Sequence, residues 1–245
     1  MLLLAAVALR VGYWQQHTAL VPDNFDRGSG GTVRLTVLAT NDLHSSVTGT
    51  DGPDAHPEVK RGGYTRLLSL IQKLRKSRER VLLVDAGDWS HGSPFDKLSP
   101  SNETKSSPEM EFFAEAQYDA TTIGNHEFDA GPMGLRTSLA KSNVPVLSSN
   151  LRCPDVGDIA SWTVKTFPLP GDGVLRVGIF GLMSPDGAFS CTIGRGFGKR
   201  SCTFVGFDDE TTAKRPTALY EVAFRTVETL RREEGGRARR SFRPR

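Results

Sequence analysis

Three short clusters in this chain carry residue types that bind metals and move protons. They are Asp42-Leu43-His44, Asp85-Ala86-Gly87-Asp88 and Gly124-Asn125-His126-Glu127-Phe128-Asp129. In an extended segment residues i and i+2 project from the same side, so Asp42 and His44 are expected to share one metal ion. Asp-x-His alone is a weak signal, and Gly-Asp is a common turn dipeptide. Gly-Asn-His-Glu is stronger, because average residue usage would produce it by accident in about one chain in a thousand. His91 lies in the loop after Asp88 and is not expected to be a ligand.

Each cluster follows a stretch that reads as a strand. Residues 33–39 are rich in apolar and β-branched residues and read as a buried strand, 81–84 is a near-continuous apolar run typical of a strand covered on both faces, and 120–123 is a shorter third. Between them, Leu67, Leu68, Ile71 and Leu74 recur at helical spacing after Gly62-Gly63. Residues 108–117 read as a short helix opened by Pro108 with an acidic first turn. A helix near 133–141 and a strand at 144–147 continue the alternation, which is that of an α/β sheet with crossover connections. In such sheets ligand sites gather at the carboxyl ends of strands, so the three clusters are expected to converge on one crevice. Farther on, 162–167 and 174–180 read as strands joined by Pro170-Gly171-Asp172-Gly173, a hairpin-like turn. A Gly- and Ser-rich loop spans 184–206. A helix capped by Asp208 is then expected to run to about Glu234, with Leu219, Ala223, Val227 and Leu230 on one face.

The set Asp42-x-His44, Gly87-Asp88 and Gly124-Asn125-His126-Glu127 resembles the calcineurin-like metallophosphoesterases. Thr40-Asn41 before Asp42, Gly62-Gly63-Tyr64 and the extension to Phe128-Asp129 narrow the resemblance to the 5′-nucleotidase family, over about residues 33–230. It implies an α/β fold, here an incomplete metallophosphoesterase-type β-sandwich flanked by helices. It also implies two divalent metal ions, with Asp42 and His44 on the first, Asp88 bridging both and Asn125 on the second. Carboxylate, imidazole and amide oxygen suit zinc, manganese or iron better than a soft-ligand metal. A bridged pair roughly 3.5–4 Å apart activates water and clamps phosphoryl oxygens during in-line displacement. His126 is then the implied catalytic residue, acting on the developing phosphoryl charge or the leaving oxygen and oriented by Asp129. The implied substrate is a small-molecule phosphate ester, foremost a nucleotide.

The same resemblance implies two more histidines on the second ion, from later Gly-His strings. The chain's five histidines are His17, His44, His56, His91 and His126, so the second site is expected to be incomplete. Two explanations stay open: a truncated product, or a short protein that has become a non-catalytic remnant holding one metal or a phosphate.

The formal net charge is +3, but five arginines lie among residues 237–245 and the rest is mildly acidic. Nucleic-acid binding would rest on that tail alone, so no specific nucleic-acid partner is expected. The organisation read from these patterns is a leader and linker at 1–31, a partial phosphoesterase domain at 32–234 and an irregular basic tail at 235–245. Residues 1–9 are apolar, too short to span a bilayer but suited to the core of a secretory signal, with Ala6-Val7-Ala8 as a small-x-small site. Secretion or cell-surface exposure, without a transmembrane segment, is the corresponding expectation. Asn102-Glu103-Thr104 is a sequon. Cys153, Cys191 and Cys202 match no zinc spacing. Cys191 and Cys202 flank the Gly-rich loop and could bridge in an oxidising compartment, leaving Cys153 over; three unpaired buried thiols are an equal alternative, and the pairing stays open.

Overall fold

The computed structural model describes residues 2–7, 32–51, 60–95, 106–129, 131–171, 173–183, 202–204 and 216–241. Its strands are β1 (Leu2–Val7), β2 (Thr36–Thr40), β3 (Thr50–Asp51), β4 (Lys60–Arg61), β5 (Val81–Asp85) and β6 (Thr121–Thr122). They continue as β7 (Val146–Leu147), β8 (Leu151–Arg152), β9 (Trp162–Pro168), β10 (Val174–Leu182) and β11 (Thr203–Phe204). The helices are α1 (Tyr64–Ser77), α2 (Pro108–Glu115), α3 (Gly131–Lys141) and α4 (Pro216–Ser241). The sequon and Asp208 lie outside the described residues.

Three of four parallel strands, β2, β5 and β6, carry the clusters. β2 pairs with β5, and β6 with β7, while a bridge between Val84 and Ala120 joins the two pairs. A second sheet holds β9 antiparallel to β10 and β1 parallel to β10. The β9–β10 hairpin closes with the Leu169 amide donating to the Gly173 carbonyl at 2.8 Å, as the Pro-Gly-Asp-Gly turn suggested.

Alternation of side chains along the strands stacks these sheets. Leu82 and Val84 of β5 pack with Phe167 of β9 and with Val177 and Ile179 of β10, forming the core between the sheets. Leu83 points the other way, into a cluster with Tyr64 and Ile71 of α1 and Met110, Phe112 and Phe113 of α2. On the far face of β10, Phe180 and Leu182 pack against Val222 of α4. The order is helices, sheet, sheet, helix, a β-sandwich flanked by helices. All five β5 side chains are buried, which is why that strand reads as an unbroken apolar run rather than an alternating one.

Local signals explain several boundaries. The Ser107 hydroxyl accepts from the Met110 amide at 3.2 Å, and Pro108 opens α2 where no intrahelical N–H is needed. α4 begins at Pro216 and continues through Gly235-Gly236 to Ser241, past the end expected near Glu234. Two glycines each cost a helix about 1 kcal/mol, and the Arg-, Glu- and Ala-rich flanks are strong helix formers that offset this. Leu2–Val7 forms a strand in register with Val177–Leu182 of β10. A continuous apolar run satisfies both a secretory core and a parallel strand, so composition does not separate the two.

Of the pairings left open by the sequence, the structure shows neither the Cys191–Cys202 bridge nor three unpaired thiols: Cys153 bonds Cys202, 49 residues away in sequence. Cys191 lies outside the described residues. The reason is register. Thr203 pairs with Arg152 in the antiparallel β8–β11 ladder, which sets Cys202 directly opposite Cys153. Cross-linking a loop of this length stabilises by about 4 kcal/mol in the chain-entropy model. Cys202→Ser is therefore expected to lower the thermal midpoint by more than 5 °C, roughly. A Cys202→Ser melt that overlays the wild type would contradict the pairing.

Candidate metal centre

The parallel pairing of β2 with β5 does not stop at the strand ends. Past it, the Ala86 amide donates to the Thr40 carbonyl, Asp42 to Gly87, His44 to Asp88 and Ser45 to Trp89, at 2.9–3.1 Å. This zipper sets the first two clusters side by side. Asp42, His44 and Asp88 each offer a ligand atom, and these atoms lie within 4.8 Å of one another. Asp42 Oδ1 and His44 Nε2 are 3.8 Å apart.

Asp42 and His44 meet by a route that differs from the i, i+2 argument. Asp42, His44 and Ser45 have φ of 52°, 45° and 51°, so the segment turns instead of extending. Asp88 and His91 are also left-handed, with φ of 53° and 63°. Non-glycine residues in this region are uncommon and cluster at functional sites, where surrounding contacts hold them. Here those contacts are the zipper bonds.

His44 is oriented for ligation. Its Nδ1 donates to the His91 carbonyl at 3.0 Å, which leaves Nε2 for a metal. Gly92 lies under the ring, and a Cβ there would sit 3.1 Å from His44 Nδ1. His91 thus serves through its backbone, a role that a search for ligating side chains does not find.

The third cluster docks on Asp88. The His126 amide donates to Asp88 Oδ1 at 2.9 Å, and a Cβ on Gly124 would collide with that same oxygen, so position 124 needs glycine. Asn125 lies between these two contacts, next to Asp88. The His126 ring is 4.8 Å from the His44 ring, edge to face. Its Nδ1 donates to Asp129 Oδ2 at 2.7 Å, which places a proton on Nδ1 and leaves Nε2 on the side of the ring away from Asp129. The structure therefore brings Asp42, His44 and Asp88 together with the His126 ring beside them and Asp129 on that ring, while Asn125 is placed there only by its position between Gly124 and His126. Asp42 and Asp129 are exposed and the other four half-buried, so the site is open to solvent.

Two buried carboxylates behind the site were not singled out from the sequence. Burial pushes Asp85 up to about 7, while donors from Thr40, Gly87 and Thr121 pull it down and the Asp42 charge adds to the rise. Burial and the nearby Asp88 charge also push the Glu127 carboxyl upward, opposed by the Ser90 and Gly124 donors that hold its ionised form. Tyr118, whose hydroxyl is 2.9 Å from Thr40 Oγ1, is raised by burial as well.

Asp85 gives the site a pH signature. In the folded chain it titrates near 7, against 3.8 for a solvated aspartate, so the folded state binds more protons between those values. Its stability contribution is complete below about pH 4 and is lost as pH rises through about 7. Without metal, the chain is expected to melt roughly 5–10 °C higher at pH 5.5 than at pH 8. Added Mn²⁺ should flatten the dependence, because a nearby cation favours the ionised form. A metal-free midpoint that rises between those pH values would refute this.

Residues 35–201 match the family model described as calcineurin-like phosphoesterase. The chain is 33% identical to the human 5′-nucleotidase over 195 residues, covering 77% of this chain and 31% of that protein. It is 37% identical to the snake venom 5′-nucleotidase of Crotalus adamanteus over 160 residues, covering 62% and 26%. It thus spans under a third of the length of these curated relatives. Among solved structures, a 5′-nucleotidase precursor from Thermus thermophilus superposes with a TM-score of 0.57 at 26% identity, covering 78% of this chain and 35% of that one. A calcineurin-like phosphoesterase from Bacillus subtilis shares the fold with a TM-score of 0.64 at 23% identity, covering 81% and 58%. With the loops of Asp42, Asp88 and His126 all inside the matched span, the chain belongs to the calcineurin-like phosphoesterase family.

Proposed function

We propose that the chain is the metal-binding part of a 5′-nucleotidase-like phosphoester hydrolase that acts on nucleotides with two divalent ions. The observation that carries this reading is the meeting of Asp42, His44 and Asp88 within 4.8 Å, beside a histidine that is not one of the three. Relatives named 5′-nucleotidase, and one named 2′,3′-cyclic-nucleotide 2′-phosphodiesterase/3′-nucleotidase, support nucleotides as the substrate class.

The donor set fits divalent metal. His44 is locked with Nε2 free, and two carboxylates face it from different loops. Asp42 and His44 would hold the first ion, Asp88 would lie between two, and Asn125 would meet the second. When bound, the ions neutralise phosphoryl oxygens and acidify water. His126, its Nδ1 bonded to Asp129, presents Nε2 to the developing phosphoryl charge or to the leaving oxygen. No histidine follows position 126, so these residues complete the first site and supply only part of the second.

The Cys153–Cys202 bond favours an oxidising compartment, as does the venom origin printed in the names of several relatives. We place the protein outside the cytosol or at the cell surface on those grounds. No helix among the described residues is long and apolar enough to cross a membrane.

The test is to load the purified chain with Mn²⁺ or Zn²⁺, count ions per chain and measure phosphate released from AMP. Metal-dependent release above a His126→Ala control is expected. One ion and no release would point to a binding remnant, and a chain that keeps no metal would overturn the site.

A further inference from the structure

We propose that Glu127 is a positioning residue for this centre: its carboxylate clamps the Asp88 loop to the loop of Gly124, Asn125 and His126. The inference rests on the metal-site reading above. Glu127 is 2% exposed. Its Oε1 accepts from the Ser90 amide and the Ser90 hydroxyl, both at 3.0 Å. Its Oε2 accepts from the Asp88 amide at 3.1 Å and the Gly124 amide at 2.6 Å. Four donors from two loops thus converge on one side chain.

Those loops leave different strands, β5 and β6, and carry ligands that must meet on the same ions. The bond from the His126 amide to Asp88 Oδ1 crosses in the opposite direction. Between them, the two sets of bonds tie Asp88 at both its backbone and its side chain. The amide bond to Glu127 also holds Asp88 in its left-handed turn, the conformation that aims its carboxylate at Asp42 and His44. Asp85 plays a different part, bonding Thr40 and Thr121 at the strand ends and the Gly87 amide, without reaching Gly124.

Only a carboxylate satisfies this arrangement. Each oxygen accepts two bonds, whereas a glutamine of the same shape offers one accepting atom and turns an NH₂ toward donors. Glu127→Gln therefore breaks one side of the clamp whichever way the amide is turned. Ser90→Ala removes a single donor and leaves the rest.

The experiment titrates Mn²⁺ into the full chain by electron paramagnetic resonance at about 10 °C, for wild type, Glu127→Gln and Ser90→Ala, with circular dichroism to establish the folded fraction. Loss of an outer partner of a metal ligand typically weakens metal binding about 10–100-fold. That loss is expected for Glu127→Gln in folded protein, together with a fall in kcat on AMP exceeding any rise in KM. Ser90→Ala should weaken binding about 2–10-fold. A residue that only stabilises the fold would lower the melting temperature while folded protein bound Mn²⁺ as the wild type does, and that result overturns the proposal. If Glu127→Gln does not fold, unaltered Mn²⁺ affinity in Ser90→Ala overturns it. Wild-type protein that binds no Mn²⁺ defeats the metal-site reading and this inference with it, whereas metal-bound wild type with an equally competent Glu127→Gln defeats the inference alone.

Discussion

Asp88→Asn is expected to remove most bound metal and lower phosphate release from AMP on the order of 10³-fold, the upper end for losing one electrostatic group at a reacting centre. Asp88 is the proposed ligand that stands between Asp42 and His44 on one side and the Gly124 loop on the other. Asparagine keeps the shape and can still accept from the His126 amide, so the loss isolates the charge. Stability should move the other way. Without metal, Asp88 is a negative charge close to buried Glu127, and it helps to raise that carboxyl. Neutralising it is therefore expected to leave the metal-free melting temperature unchanged or higher. Elemental analysis and a melt in chelator check both halves. Wild-type metal content in Asp88→Asn would remove Asp88 from the site.

His126→Ala is the second large effect, with kcat expected to fall about 10²–10⁴-fold, the range for a general acid or base. Metal content should stay near wild type, because the His126 ring stands beside the Asp42, His44 and Asp88 cluster without belonging to it. Asp129→Asn should give a smaller loss, since it frees the ring orientation but leaves the imidazole in place. The contrast between variants carries the information. Loss of metal from His126→Ala would make it a ligand, and unchanged kcat would leave the chemistry to other groups.

The site was legible in the sequence because its residues sit at the ends of strands, and strand ends are read from local apolar runs. β5 announces itself as Val81-Leu82-Leu83-Val84, and Asp85 and Asp88 follow at once. The β9–β10 hairpin is legible for a similar local reason, its turn residues standing between two segments that pair antiparallel. Glu127 lay inside the motif with no role, since a glutamate next to the candidate histidine looks the same whether it faces solvent or four donors. Its burial depends on Ser90 and Asp88, nearly forty positions away in the chain.

Sequence alone supplied the candidate residues of the centre, the alternation of strands and helices, and the expectation of metal chemistry, because each is encoded in residue type over a few neighbouring positions. The tertiary structure decided how they meet. It replaced an extended Asp42-x-His44 with left-handed turns, because the zipper to the β5 loop dictates the backbone there. It gave His91 a backbone role, and it chose Cys153 over Cys191 as the partner of Cys202 through the β8–β11 register. Each of these depends on hydrogen bonds between segments far apart in sequence, and such pairings become definite only when the sheets and loops have packed.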